Sequence, residues 1–198
     1  MIHLRHAIFR LDADLRAIRV PWAFVGGIAV AVRAMPRFTN DIDVAIAVGG
    51  DREAERIALT LRGRGYSDHP EQPFLENPDG SLRAVRMLSP KAPQTSLVVD
   101  LLFRFSGVES EVVNAAQLVT LFPGQALPVV RTGHLLALKV HAGRPKDEED
   151  VRQILRVASD SDLHLARETL QLIDRRGFSK VDDLLAELAK LRDSLRES

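Results

Sequence analysis

Residues 22–48 have the sequence WAFVGGIAVAVRAMPRFTNDIDVAIAV, and this stretch decides the fold. The run 22–25 is apolar, with aromatic and β-branched residues, which is typical of a buried strand. Gly26 and Gly27 follow, and adjacent glycines allow positive φ and a close approach of the backbone to a ligand. Residues 28–35 have a helical composition that a proline ends. The pattern predicts a strand, a glycine turn, a short helix and a second strand.

The glycine turn is a candidate phosphate site. A helix that begins directly after such a turn presents backbone N–H groups that have no partner within the helix. These groups, together with the positive end of the helix dipole, favour an anion. The sequence therefore predicts that a phosphate can bind at Gly26 and Gly27.

Two carboxylates open the second strand. Asp41 and Asp43 are separated by one residue, so both side chains point to the same face of the strand. They repel each other unless a cation lies between them, and Mg²⁺ prefers carboxylate oxygens while keeping water or phosphate as its other ligands. Two such ions, roughly 3.5–4 Å apart, can hold the attacking and leaving oxygens of a phosphoryl transfer. We therefore predict a metal-binding strand beside the phosphate-binding turn.

A third carboxylate lies in the most apolar run of the chain, residues 97–103. The length of this run and its β-branched start favour a central strand. Asp100 is in the middle of it, where an unpaired carboxylate is costly. The pattern predicts that Asp100 has a partner, which is either a metal ion, an arginine such as Arg104, or the N–H groups of a turn.

The segments around this strand give less definite patterns. Residues 66–81 are rich in Pro, Gly, Asp and Asn and are predicted to form a loop, either a simple connection or a border of the substrate site. Residues 82–88 alternate between apolar and polar and predict a half-exposed strand that carries Arg83 and Arg86. Residues 109–122 fit either a pair of strands or a short helix, and residues 127–130 fit an edge strand.

From residue 132 onwards the pattern is helical. Lys139 is embedded in an apolar helix, where one interpretation is a surface lysine that extends its charge to solvent. Pro145 suits the first turn of the next helix, and the acidic run 147–150 suits the positive end of that helix. Two further amphipathic helices follow, with leucine-rich stripes that predict core packing.

The composition limits the partners and the cellular compartment that can be expected. The chain has 198 residues, 27 basic and 27 acidic, so it has no overall charge to attract nucleic acid, and only a local basic patch would do so. It has no cysteine and hence no disulfide or thiolate metal site, which is compatible with a reducing cytoplasm. No apolar run approaches the ~20 residues that span a bilayer, and no signal peptide is evident, so no membrane association is expected.

The segments around residues 22–48, 95–103 and 132–155 together resemble a known family. Gly26-Gly27 followed by RFTNDID at residues 37–43 resembles the first motif of the nucleotidyltransferase superfamily with the polymerase-β-like fold. The string LLALKVHAGRPKDEEDV at residues 135–151 resembles the second motif of the branch that includes the AbiEii-type toxins of toxin–antitoxin systems. Many superfamily members have Gly-Ser in the turn, whereas this chain has Gly-Gly, so phosphate contacts here would be made mainly by the backbone.

The resemblance implies an activity and a set of site residues. Proteins of this superfamily transfer a nucleoside monophosphate from an NTP to an acceptor hydroxyl with Mg²⁺, and two ions are expected here. The implied catalytic residues are Asp41, Asp43, Asp100 and Lys139; the first three would hold the metal, and Asp100 would also accept the proton of the attacking hydroxyl. The implied nucleotide-binding residues are Gly26, Gly27, Arg37, Thr39, Lys139, Lys146 and Asp147, with Asp147 or Asp150 orienting the basic side chains.

The predicted fold is α/β (α+β), with a mixed-sheet nucleotidyltransferase domain at residues 1–130 and a helical domain at residues 131–198. The acceptor is open between RNA such as tRNA, as for the toxin of a toxin–antitoxin system with a cognate antitoxin, and a small molecule, as for an antibiotic-modifying enzyme. An RNA acceptor would meet the strand with Arg83 and Arg86 or the segment 66–81. The alternative from another class is a non-catalytic member of the fold that binds a nucleotide or a protein partner.

Overall fold

The structure is a computed structural model that describes residues 2–36, 38–90, 96–179 and 181–195. Its helices within these ranges are α1 Ile2–Ile18, α2 Gly26–Arg33, α3 Asp51–Gly63, α4 Glu109–Asn114, α5 Thr132–Ala142, α6 Pro145–Leu155, α7 Asp160–Arg175 and α8 Leu184–Ser194. Its strands are β1 Trp22–Phe24, β2 Asp41–Ile46, β3 Ser67–Asp68, β4 Phe74–Glu76, β5 Leu82–Leu88, β6 Val98–Leu102, β7 Gln117–Phe122 and β8 Gln125–Val129. None of the described helices has the length and apolar character needed to cross a bilayer.

The strands form one mixed sheet in the order β3-β5-β6-β2-β1-β8-β7, and β4 also pairs with β5. The pairs β2·β6 and β1·β8 are parallel, and the other pairs are antiparallel. The predicted α/β class with a mixed sheet is therefore confirmed. The strand with Asp100 lies next to the strand with Asp41 and Asp43, in the interior of the sheet.

The apolar stripes of the helices explain how they pack. Ala7, Ile8, Leu11 and Leu15 of α1 are buried, as are Ala54, Ile57, Ala58 and Leu61 of α3, and α1 packs against α3. Helix α5 packs against α2, α6 and α7, so the helical part of the chain lies beside the glycine turn. The helical region begins at Thr132, but its separation from residues 1–130 as a domain stays a prediction.

Three details differ from the sequence patterns. The segment 66–81 is not a simple loop, because it contains the short strands β3 and β4, which both pair with β5. Residues 109–122 form a short helix, α4, and then a single strand, β7, which pairs with β8 outside this segment. Strand β8 is not at an edge, because it lies between β1 and β7.

Candidate active site

Three charged side chains form a row across three neighbouring strands. In the antiparallel pair β5·β6 Arg86 lies opposite Asp100, and in the parallel pair β2·β6 Asp43 lies opposite Asp100. Partner residues in a sheet point to the same face, so Arg86, Asp100 and Asp43 share one face. Asp41 is two residues before Asp43 on β2 and belongs to the same face. The strand order therefore puts the three carboxylates that the sequence singles out on one face of the sheet.

The glycine turn closes one side of this row. Gly26 begins α2 with φ +56°, which is the left-handed region that favours glycine. A Cβ atom at Gly26 would overlap the Asp43 carboxylate, so no larger residue fits without moving that side chain. The backbone N–H of Gly27 donates a hydrogen bond to Asp43 Oδ2 at 3.4 Å. The turn is thus tightly packed against the carboxylate, and the Gly27 N–H is directed towards Asp43.

The two central carboxylates have different electrostatic environments. Burial raises the pKa of Asp43, and the nearby Asp100 raises it further, while Lys139 and the Gly27 N–H only partly offset these effects. Asp100, by contrast, accepts hydrogen bonds from Arg86 Nε at 2.7 Å and from Arg86 Nη2 at 2.8 Å. This hydrogen bonding to Asp100 raises the pKa of Arg86. The negative charge at Asp43 is therefore the less well compensated of the two.

Helices α5 and α6 supply the facing basic group. Lys139 is only 6% exposed, and its Nζ forms ion pairs with Asp147 Oδ1 at 2.7 Å and with Asp150 Oδ2 at 2.8 Å. Helix α5 ends at Gly143, which has φ +62° and a left-handed conformation. This sharp end, followed by Pro145 at the start of α6, folds Asp147 back towards Lys139.

Asp147 holds two cations at once. Arg144 Nε donates to Asp147 Oδ2 at 2.6 Å, and Lys139 donates to Asp147 Oδ1 at 2.7 Å. Asp147 is fully buried, and burial raises the pKa of this carboxyl, but the hydrogen bonds from Arg144 and Lys139 outweigh that effect and make the net shift downward. The carboxylate is therefore ionised and keeps Lys139 and Arg144 in fixed positions at the site.

A cleft of about 130 Å³ lies between helix α5 and the face of the sheet that carries Asp43 and Asp100. Its charged lining consists of Asp43, Arg86, Asp100, Lys139 and Arg144, and Leu102, Phe105, Leu135 and Leu138 are among its apolar lining residues. A larger cleft of about 410 Å³ lies elsewhere, beyond the ends of β2 and β6, and its lining includes none of the predicted site residues. The smaller cleft is the candidate active site, because it is lined by carboxylates, basic side chains and the glycine turn.

The structure brings most of the predicted site residues together, but not all. Asp43, Asp100 and Lys139 line the cleft with Gly26, while Gly27 and Asp147 each contact one of them. Asp41 is at the start of β2 and is not among the residues that line the cleft. Thr39 donates its hydroxyl to the backbone oxygen of Asp41 at 3.1 Å and so supports the start of β2. Lys146 is on the exposed first turn of α6. Arg37 lies outside the described residues.

Two arginines of the cleft are absent from the residue set that the sequence predicts. Arg86 was considered only as an RNA contact, and Arg144 was not assigned a role. The signal for Arg86 was a pair of opposite charges on two adjacent runs with strand patterns, which favours cross-strand pairing. An arginine does pair with Asp100, but it is Arg86, at 2.7 Å, and not Arg104.

The residue types at the site fit a hard divalent cation. The oxygens of Asp41, Asp43 and Asp100 are the ligand type that Mg²⁺ prefers, and the raised pKa of Asp43 indicates a place where a cation would be favourable. Among the described residues, however, no three acidic or histidine side chains are grouped closely enough to hold a metal ion as they stand. Asp100 is turned towards Arg86 instead.

The fold and this cleft define the chain as a nucleotidyltransferase, as the comparison with known proteins shows. The model of the family described as "Nucleotidyl transferase AbiEii toxin, Type IV TA system" matches residues 11–197. The chain therefore belongs to the AbiEii nucleotidyltransferase toxin family, and the resemblance of its motifs is confirmed. No curated protein is similar enough in sequence to count as a match.

Solved structures with a similar fold are only distantly related in sequence. An antigenic nucleotidyltransferase-like protein from Paracoccidioides brasiliensis is 17% identical, with 96% of this chain and 93% of that chain covered and a TM-score of 0.53. MenT4, a nucleotidyltransferase toxin from Mycobacterium tuberculosis H37Rv, is 14% identical, with 98% and 91% covered and a TM-score of 0.42. The lincosamide antibiotic adenylyltransferase LnuA is 13% identical, with 77% and 97% covered and a TM-score of 0.45.

Proposed function

We propose that this nucleotidyltransferase uses Mg²⁺ to transfer a nucleoside monophosphate from an NTP to a hydroxyl group of an RNA, as the toxin of a type IV toxin–antitoxin system. The observation that carries the proposal is the row of Asp43 and Asp100, which faces Lys139 across a cleft beside the glycine turn. The toxin role and a cognate antitoxin follow from the family. The reaction would take place in the cytoplasm, where NTPs and RNA are available.

Each group has a part in the proposed transfer. A bond forms between the acceptor oxygen and the α-phosphorus of the NTP, and the bond from that phosphorus to the bridging oxygen breaks, so that pyrophosphate leaves. Asp41, Asp43 and Asp100 would hold Mg²⁺, which supplies charge stabilisation of the phosphoryl oxygens when bound. Asp100 takes up the proton of the acceptor hydroxyl once it is no longer engaged with Arg86.

The basic and backbone groups act on the phosphates. The backbone of the Gly26-Gly27 turn holds the triphosphate at the start of α2. Lys139 and Arg144 lie on the opposite side of the cleft and neutralise the charge that develops on the departing pyrophosphate. Asp147 does not contact the nucleotide in this account; it holds Lys139 and Arg144 in place. Roles for Arg37, Thr39 and Lys146 in nucleotide binding stay predictions.

The acceptor can be tested directly. Purified protein is incubated with Mg²⁺, each α-³²P-labelled NTP and either total tRNA or a panel of antibiotics with free hydroxyl groups. We expect label in the RNA and a steep loss of RNA binding as salt is raised, because RNA contacts release counterions. The matched control is the double variant Asp41→Ala/Asp43→Ala, which should transfer no label.

Two other results would change the assignment. Label in an antibiotic, with no RNA product and little effect of salt on binding, would replace the RNA acceptor with a small molecule. NTP binding without transfer to either acceptor would favour a non-catalytic member that binds a nucleotide or a protein partner.

A further inference from the structure

In the proposed transfer Asp100 acts only after the Arg86–Asp100 ion pair has opened, and Arg86 itself is given no role there. Arg86 uses two donors, Nε and Nη2, and reaches both oxygens of Asp100, at 2.7 and 2.8 Å. This two-pronged geometry is the strong form of an arginine–carboxylate pair. Asp100 is only 8% exposed, so the pair is shielded from water on the carboxylate side. One of the three predicted metal ligands therefore already has a cationic partner.

A metal ion and Arg86 compete for the same carboxylate. A divalent cation at Asp100 would lie close to the guanidinium charge, and like charges repel strongly where water is partly excluded. The absence of a ready three-ligand group among the described residues agrees with this, because Asp100 is engaged by Arg86 rather than directed to the other two carboxylates. Metal binding to the nucleotide-free protein should therefore be weakened by Arg86.

Arg86 would not be lost to the site when it releases Asp100. Its side chain is 30% exposed and lines the same cleft as Lys139 and Arg144. An anionic triphosphate in that cleft would offer the guanidinium new oxygen acceptors in place of Asp100. The nucleotide thus draws Arg86 away from Asp100, and the metal then neutralises Asp100 in its place.

We propose that Arg86 is a positioning residue that holds Asp100 in the metal-free protein and exchanges it for the nucleotide phosphates, so that nucleotide and metal bind cooperatively. The inference rests on the proposed function, because it takes Asp100 as a metal ligand. By linkage, the nucleotide must raise the affinity for the metal by the same factor as the metal raises the affinity for the nucleotide. The ion pair would keep the site inactive until both ligands are present.

The test measures the affinity of the nucleotide-free protein for Mn²⁺ from the electron paramagnetic resonance signal of the free ion. We expect Arg86→Gln to bind Mn²⁺ more tightly than the wild type, by roughly 5- to 150-fold, which is the usual range of coupling between sites. Arg86→Lys keeps the charge but loses the two-pronged geometry, so its Mn²⁺ affinity should lie between those of the wild type and Arg86→Gln. Arg83→Gln removes the same charge from the same strand, but Arg83 lies over the Phe105 ring, 4.0 Å from its centroid, and should have no effect.

A second pair of variants separates an effect on Mn²⁺ binding from an effect on folding. Arg86→Gln leaves Asp100 without its partner, so we also compare Asp100→Asn with the double variant Asp100→Asn/Arg86→Gln, and all proteins are checked by thermal unfolding. Because Arg86 acts mainly by engaging Asp100, the gain in Mn²⁺ affinity from Arg86→Gln should be much smaller in the Asp100→Asn background than in the wild type. An unchanged or weaker Mn²⁺ affinity in folded Arg86→Gln overturns the inference and leaves the proposed function intact. If neither wild type nor variant binds Mn²⁺, the inference fails together with the metal assignment.

Discussion

Replacing Asp43 with alanine should abolish nucleotidyl transfer while the protein stays folded. We expect kcat to fall by about 10³-fold or more, the upper end of the range for a single group that stabilises transition-state charge. Stability should be unchanged or slightly higher at pH 7. The pKa of Asp43 is raised in the folded state, chiefly by burial, so the ionised carboxylate is less favourable there than in the unfolded chain at pH 7.

The measurement combines labelled-NTP transfer with thermal unfolding of the same samples. Asp160→Ala is the matched control, because this aspartate is exposed at the start of α7 and does not line the cleft. It should keep full activity. Normal transfer by Asp43→Ala would remove Asp43 from the catalytic site, and a large loss of stability would show that its main role is structural.

Replacing Asp147 with asparagine should have the largest effect on stability. Asp147 is fully buried and pairs with both Lys139 and Arg144. The amide cannot neutralise them, so the buried Lys139 keeps only Asp150 as an anionic partner among the ion pairs of the described residues. We expect the free energy of unfolding at pH 7 to fall by roughly 3 kcal/mol, the lower end of the range for a broken buried ion pair, because Arg144 can turn to solvent.

The pH dependence gives a second readout of the same change. The folded-state pKa of Asp147 lies below its usual value, so its contribution to stability is fully present above the unfolded pKa and is lost as pH falls through the folded one. Urea unfolding of the wild type should show this loss on the acid side, and Asp147→Asn should reduce it. Glu149→Gln, on the exposed side of α6, should change stability by at most about 0.5 kcal/mol. A loss below 1 kcal/mol in Asp147→Asn would contradict the account.

The elements β1, α2 and β2 could be predicted because each depends on residues that are close together in the sequence. The apolar run 22–25, the adjacent glycines and the alternation that begins at Asp41 fix β1, the start of α2 and β2 within a single stretch. Strands β3 and β4 could not be predicted. They have two and three residues, have little buried surface, and exist because β5 offers them backbone hydrogen bonds.

The site residues, too, include some that the sequence predicts and one whose role it does not predict. The three carboxylates and Lys139 stand out because charge in an apolar run is costly wherever the run packs. The role of Arg86 depends on the pairing register between β5 and β6. The sequence predicts a turn at residues 91–94 between them, which lies outside the described residues, and a turn alone does not fix that register. Nothing in the spacing of residues 86 and 100 alone fixes that register, so the ion pair became evident only from the sheet.

The most direct test of the central claim, that the carboxylates and the glycine turn form an NTP site, is calorimetric titration of each of the four NTPs into the purified protein. The titrations are made with Mg²⁺ and with EDTA, for the wild type and for Asp41→Ala/Asp43→Ala. The account predicts that at least one NTP binds the wild type with Mg²⁺, and that this binding is lost in EDTA and in the double variant. NTP binding of equal strength in the wild type and the folded double variant would contradict it.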